Sequence, residues 1–308
     1  MHLKNTILGL FALLVGGFGT QAGADGLPKI QIVEAPINYP APGVTGTAPY
    51  DINDLGNLSI IVYVGDTVWV GTRIDGQYST LSQPPSTVTT AGSYDINNFN
   101  VVTGTWYNGS AYRGFTLYKD VYTDFDVNVA TATCTVPYGI NDYGARSGYY
   151  CASSHYQAFR QIGSRETDLD MAGAKGTTAQ ATNDFLQTTG FFSTSDYFPA
   201  DGSLATCPLC QGVIWDQAGH PWSFVVPGAA ATIGLGINNT GWVSGHYFDT
   251  SGNEHAFAYQ FYSNQFLTYD YPGATATTFN GINDLGYIAG RYTDSKGVER
   301  GFIAQIVE

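Results

Sequence analysis

The sequence predicts an all-β fold: a six-bladed β-propeller of four-stranded blades, the last blade completed by the N-terminal strand. Three observations predict it. An Asn-centred motif recurs six times, at Asn53, Asn97, Asn141, Asn183, Asn238 and Asn283. Gly (38), Tyr (22) and Phe (17) are abundant while charged residues make up 12% of the chain, a composition that suits short strands and tight turns. The last repeat lacks a strand that the segment before the first repeat can supply.

From the N-terminus, residues 1–24 carry one charge, Lys4, before the apolar run 7–15, and end in Ala22-Gly23-Ala24. This is the pattern of a secretory signal peptide, and the apolar run is too short to cross a bilayer. A single six-repeat domain is then expected over residues 25–308. Loss of Lys4 takes the formal charge from −13 to −14, and with 12 Lys and Arg in the whole chain a phosphate backbone finds little to replace its counterions. The expected product is exported, to the extracellular space, the periplasm or the cell surface. It has no nucleic-acid partner and no membrane span after cleavage.

The clearest copies of the repeat are Gly236-Ile237-Asn238-Asn239-Thr240-Gly241 and Gly281-Ile282-Asn283-Asp284-Leu285-Gly286. The six Asn residues are separated by 44, 44, 42, 55 and 45 positions, so only the fourth repeat is long. Seven residues after the Asn stands Gly104, Gly148, Gly190, Gly245 or Gly290, with Ile60 the exception, and an aromatic follows. Ten residues before it stands Gly43, Gly173, Gly228 or Gly273. Asn-Asp-x-Gly reads as a hairpin turn, since Asn and Gly accept the left-handed backbone such turns require. Strands are predicted at 275–282, 287–292 and 300–304, with a fourth illustrated one copy earlier at 265–271, and four strands per unit make a propeller blade. Repeat six stops after its third strand. Residues 30–43 look like its missing fourth strand, which would close the ring without a covalent bond and hide both sheet edges.

With the triplet His255-Ala256-Phe257 downstream, Gly-Ile-Asn-Asp-x-Gly-x-x-x-Gly resembles the HAF-type extracellular repeat of bacterial secreted proteins. Arg300-Gly301-Phe302, Arg113-Gly114-Phe115 and Gln157-Ala158-Phe159 are the related triplets. The likeness covers essentially the whole mature chain and is strongest in repeats five and six. It implies export and a repetitive β architecture, and it carries over no activity, cofactor or catalytic residue.

Four cysteines in an exported chain predict disulfides. Cys134 and Cys151 lie equally far from the Asp142-Tyr143 pair, so a two-residue hairpin would set them face to face. Cys207 and Cys210 fall in the insertion expected at about 193–211 and are predicted to pin that loop. A redox-active reading would need a helix N-terminus, and His155, His220, His246 and His255 show no paired spacing that would complete a metal site. No cofactor or metal is predicted.

The candidate ligand-binding residues are Arg113, Gln157, His255 and Arg300, which precede the third-strand Phe and would form a ring of polar tips unless they are merely solvated strand ends. His246 and Arg291 follow the repeat glycine on neighbouring repeats and are expected to cluster with His255, without a catalytic role. Tyr197 and Phe198 in the insertion are expected to overhang the face where blades connect. Residues 51–56 have a passing likeness to a calcium loop, yet they lack its terminal Glu and read as turn chemistry. No G-x-S-x-G, H-E-x-x-H or phosphate-cradling loop is present. The predicted function is a secreted binding or surface-interaction protein for carbohydrate or another envelope component. Two alternatives stay open: a structural envelope component, and a metal-dependent hydrolase or lactonase whose site is assembled at the axis and leaves no contiguous motif.

Overall fold

The computed structural model describes residues 27–83, 90–152, 155–195, 207 and 209–308. The predicted leader and the candidates Tyr197 and Phe198 lie outside them. The described residues form strands and no helix. The first strand is β1 (Lys29–Ile37). Repeat one folds as β2 (Val44–Ile52), β3 (Leu58–Val64), β4 (Thr67–Ile74) and β5 (Gln77–Tyr78). Repeat two folds as β6 (Thr90–Ile96), β7 (Val102–Tyr107), β8 (Tyr112–Tyr118) and β9 (Val121–Phe125). Repeat three supplies β10 (Cys134–Ile140), β11 (Arg146–Cys151), β12 (Tyr156–Ile162) and β13 (Arg165–Asp168), and repeat four β14 (Gly176–Thr182), β15 (Thr188–Ser193), β16 (Gln211–Trp215) and β17 (Pro221–Phe224). Each of these sets is a four-stranded antiparallel sheet.

The remaining strands are β18 (Ala231–Ile237), β19 (Trp242–Phe248), β20 (Glu254–Gln260), β21 (Gln265–Tyr269), β22 (Ala276–Ile282), β23 (Tyr287–Thr293) and β24 (Glu299–Val307). With β1 they form one eight-stranded sheet whose halves meet through the single parallel pair Glu254–Ala276. β1 runs antiparallel to β24, from Lys29 opposite Val307 to Ile37 opposite Gly301. Arg73 on β4 grips Glu34 on β1 with two hydrogen bonds of 2.6 and 3.1 Å.

Three repeated devices explain why these sequences fold alike. The residue seven after the motif Asn sits opposite the third-strand Phe, in the pairs Gly104–Phe115, Gly148–Phe159, Gly245–Phe257 and Gly290–Phe302. A Cβ on Gly245 would lie 2.1 Å from the Ile233 carbonyl oxygen and 2.7 Å from the Phe257 ring, so only glycine fits beneath the aromatic. Repeat one inverts the pair: Ile60 faces Gly71, and the Tyr39 ring occupies the space over that glycine. The Ile60 exception is thus compensated across the strand.

The second device is a buried Thr. Thr47, Thr135, Thr177, Thr232 and Thr277 each accept the backbone N–H of the residue that leads into their first strand, at 2.9–3.2 Å. The third is a bulge in every first strand, where the register slips at Tyr50, Tyr94, Tyr138, Gln180, Leu235 or Asn280. Such a bulge re-aims one side chain.

The bulge corrects the hairpin expectation. Asn141 N–H bonds the Ala145 carbonyl, leaving three residues in the turn instead of two, and the bulge between Pro137 and Gly139 then restores the register that sets Cys134 opposite Cys151. The two offsets cancel, so the expected disulfide is present, with a Cα–Cα distance of 5.0 Å. Cys207 and Cys210 are also bonded and are buried against Phe191, Ile233 and Leu235.

Candidate functional site: the axial channel

The motif Asn directly follows every first strand, and these six side chains build one end of the channel. Each Asn Oδ1 accepts the N–H groups two and four residues on, as in Asn141 with Tyr143 and Ala145. Each Nδ2 then donates to the backbone carbonyl of the next repeat's Asn, at 2.8–3.1 Å, and Asn283 donates to Asn53, so the cycle closes. An Asp would lose the donor and a Ser could not span the gap. A second cycle lies on the first: the N–H of each following residue donates to Oδ1 of its neighbour around Asp54, Asn98, Asp142, Asp184, Asn239 and Asp284, at 2.7–3.0 Å. Asn98 and Asn239 also bridge flanking carboxylates through Nδ2. These rings enclose an open recess of about 80 Å³.

Farther along the axis, Asp51 and Asp95 form a half-buried carboxyl pair that lines both this recess and the next cavity. Burial pushes Asp51 well above the usual carboxylate range and Asp95 adds to the shift, while burial also raises Asp95. Next come the six bulge residues around a cavity of about 30 Å³, room for water molecules but not for a sugar ring. Gln180 Nε2 and Asn280 Oδ1 are buried there without a hydrogen-bond partner among the described residues.

The opposite mouth lacks this regularity. On repeats one to three, Tyr50, Tyr94, Tyr138, Tyr149 and Tyr156 make a ladder of tilted rings with centroids 4.5–6.0 Å apart. All are half-buried except the more deeply buried Tyr149. On repeats five and six, His246 Nδ1 lies 3.7 Å from Glu254, Arg291 reaches the same carboxylate at 4.0 Å, and Arg291 bonds Glu299 at 2.6 Å. Burial lowers His246 to about 4, so its imidazole is neutral at neutral pH, and neither nitrogen has a hydrogen-bond partner among the described residues. Burial opposes ionisation of Glu254, but His246, Arg291 and the Thr278 hydroxyl outweigh it and hold its pKa below the usual value. Burial likewise works against the Arg291 cation, and Glu299, Tyr50 and Glu254 more than compensate.

Of the residues singled out in the sequence, His246 and Arg291 do meet, around a glutamate that was not anticipated. His255 does not join them. It neighbours Glu254 on β20, and successive strand residues face opposite sides; its ring stacks on Tyr247 and bonds Asp270 at 2.7 Å, with Asp249 at 3.5 Å. The candidate polar tips have local partners. Arg113 is paired with Asp126, and Arg300 with Asp294 and Asn38, while Gln157 lies opposite Tyr150. Residues 53–56 form a turn, as the spacing suggests, and Asp51 and Ile52 close β2. Among the described residues no three His, Cys, Asp or Glu side chains converge as metal ligands.

No protein-family model matches the chain, and no curated protein matches it. Solved structures do match. Putative TolB from Agrobacterium tumefaciens aligns with a TM-score of 0.55 and 9% identity over 85% of this chain and 90% of that one. The Aleuria aurantia lectin in complex with Fucα1-6GlcNAc gives 0.51 and 11%, over 86% and 95%. A putative gluconolactonase gives 0.50 and 13%, over 91% and 94%. At such identities the likeness shows the fold alone, and that fold is all-β and propeller-like.

Proposed function

We propose that the chain is an exported binding protein, a six-bladed propeller closed by β1, that recognises a hydroxyl-rich ligand of saccharide type at the mouth opposite the Asn turns. The observation that carries this reading is the tyrosine ladder, whose Tyr50 end lies beside the Glu254–Arg291–Glu299 part of the charged cluster. Aromatic faces stack on the apolar faces of sugar rings, while fixed charged groups take up hydroxyls. Six blades follow from dividing the eight-stranded sheet at its single parallel pair, and the six-membered Asn cycle supports that division. Two disulfides suit an oxidising compartment, and among the described residues no helix is long and apolar enough to cross a membrane. Membership of the HAF-type repeat family belongs to the same proposal.

A glycan array with the mature protein tests it, alongside an ester and lactone turnover assay. Saturable saccharide binding that is lost in Tyr94→Ala and Tyr156→Ala is expected, and binding indifferent to both substitutions would sink the site. Turnover abolished by His246→Gln would instead select a hydrolase, a reading favoured by the neutral His246 beside Glu254.

A further inference from the structure

The face that carries the Asn turns presents a second surface. The residue two after each motif Asn gives its N–H to the Asn side chain, and its own side chain projects outward. In five of the six turns that side chain is apolar and largely exposed: Leu55 (63%), Phe99 (64%), Tyr143 (77%), Phe185 (62%) and Leu285 (59%). The turn needs only the backbone at this position, so folding gives no reason for an apolar residue. Exposed apolar groups gathered around one opening mark an interaction surface.

Inside this rim lie the carboxylates of Asp54, Asp142, Asp184 and Asp284, and among the described residues no Lys, Arg or His lines the recess. Burial pushes Asp284 above the usual range against two hydrogen bonds from Asn239, and the neighbouring Asp54 and Asp184 charges push the same way as burial. A cation would relieve that repulsion. Among the described residues the side chains do not converge as metal ligands, and about 80 Å³ admits an ammonium or guanidinium head. The apolar rim surrounds the recess, so a cation carried on an apolar surface would match both features.

We propose that this face docks a protein partner that inserts one cationic side chain, Lys or Arg, into the axial carboxylate ring and lays apolar neighbours on the surrounding rim. The rim excludes water around the charge, which strengthens the central attraction, as a ring of weak contacts does around an interface hot spot.

The test uses the mature protein and two fluorescein-labelled nonapeptides of Leu, Phe and Ala, one with a central Lys and one with norleucine in its place, followed by anisotropy at low salt. The Lys peptide should bind about tenfold tighter or better, roughly the value of a close charge pair at an interface. Phe99→Ser with Phe185→Ser should weaken it about tenfold, as expected for loss of buried aromatic anchors, at an unchanged unfolding midpoint because both residues are exposed. Asp142→Asn with Asp184→Asn should bring the two peptides to equal affinity. Equal binding of both peptides to the unaltered protein, an affinity indifferent to the rim substitutions, or no binding of either peptide would each overturn the proposal. Saccharide binding at the opposite mouth is a separate readout and does not decide it.

Discussion

The two ends of the axial channel occupy equivalent places in every repeat, yet they are built under different constraints. At the turn end each motif Asn bonds its own turn and its neighbour's backbone, so a change in one repeat strands a group in the next. At the far end the residues eight after the Asn are Ile61, Thr105, Tyr149, Phe191, His246 and Arg291, six different side chains in six repeats. No hydrogen-bond cycle joins these six among the described residues, so each repeat is free to differ. The symmetric end holds the ring together; the asymmetric end is free to become specific.

The widest gap between the ends should appear in paired substitutions. Asn141→Ala removes a donor and leaves the Tyr143 and Ala145 N–H groups unmatched, a loss of about 3 kcal/mol at a few buried groups. At the far end Thr105 is buried with its hydroxyl unpartnered, so Thr105→Val should be neutral or stabilise by about 1 kcal/mol. Urea denaturation of both variants measures the contrast, and equal losses would abolish it.

The next effect is a pH dependence that belongs to the asymmetric end. His246 titrates near 4 when folded against an ordinary 6.5, so between these values the unfolded chain binds a proton that the folded chain refuses. Stability therefore falls as pH drops from about 7 towards 4, by up to about 3 kcal/mol from this group. His246→Phe should flatten that part of the profile in denaturation at stepped pH. An undiminished slope would place its origin elsewhere.

The smallest effect lies where the symmetric end departs from its own pattern. Leu186 stands where three other repeats have a turn glycine at φ of 77–92°, or Gly144 at 74°, and it adopts φ 58°. Leu186→Gly should stabilise by about 1 kcal/mol through relief of the left-handed strain. A lower melting temperature would show that its side chain repays the strain.

What the sequence disclosed follows the same division. The Asn spacing, the first-strand turn and the N-terminal strand beside the last repeat were legible because the repeat states them six times. The inter-repeat bond of each Asn was not, because local turn chemistry already accounts for an Asn there. Asn at every copy, where Asp or Gly would also turn, was the available signal, and the recurring Thr six positions upstream was another. The Cys134–Cys151 pair was read from a turn one residue too short, rescued by a bulge that the pattern did not reveal. Glu254 and Glu299 occupy the same place in repeats five and six, three residues before the third-strand Phe, and escaped notice because Tyr112 and Tyr156 stand there in repeats two and three. His255 misled because its strand position was read without its side.

The pairing of β1 with β24 has a mechanical consequence. The chain enters β1 at Lys29 and leaves β24 at Val307, which face each other at the same edge of the pair. Tension between the segments leading into β1 and out of β24 would load these bonds one pair at a time, from Lys29–Val307 inward, like a zipper. A molecule tethered at one end and pulled at the other would open its ring at this seam under small force, while a load borne across the faces would leave the seam shut.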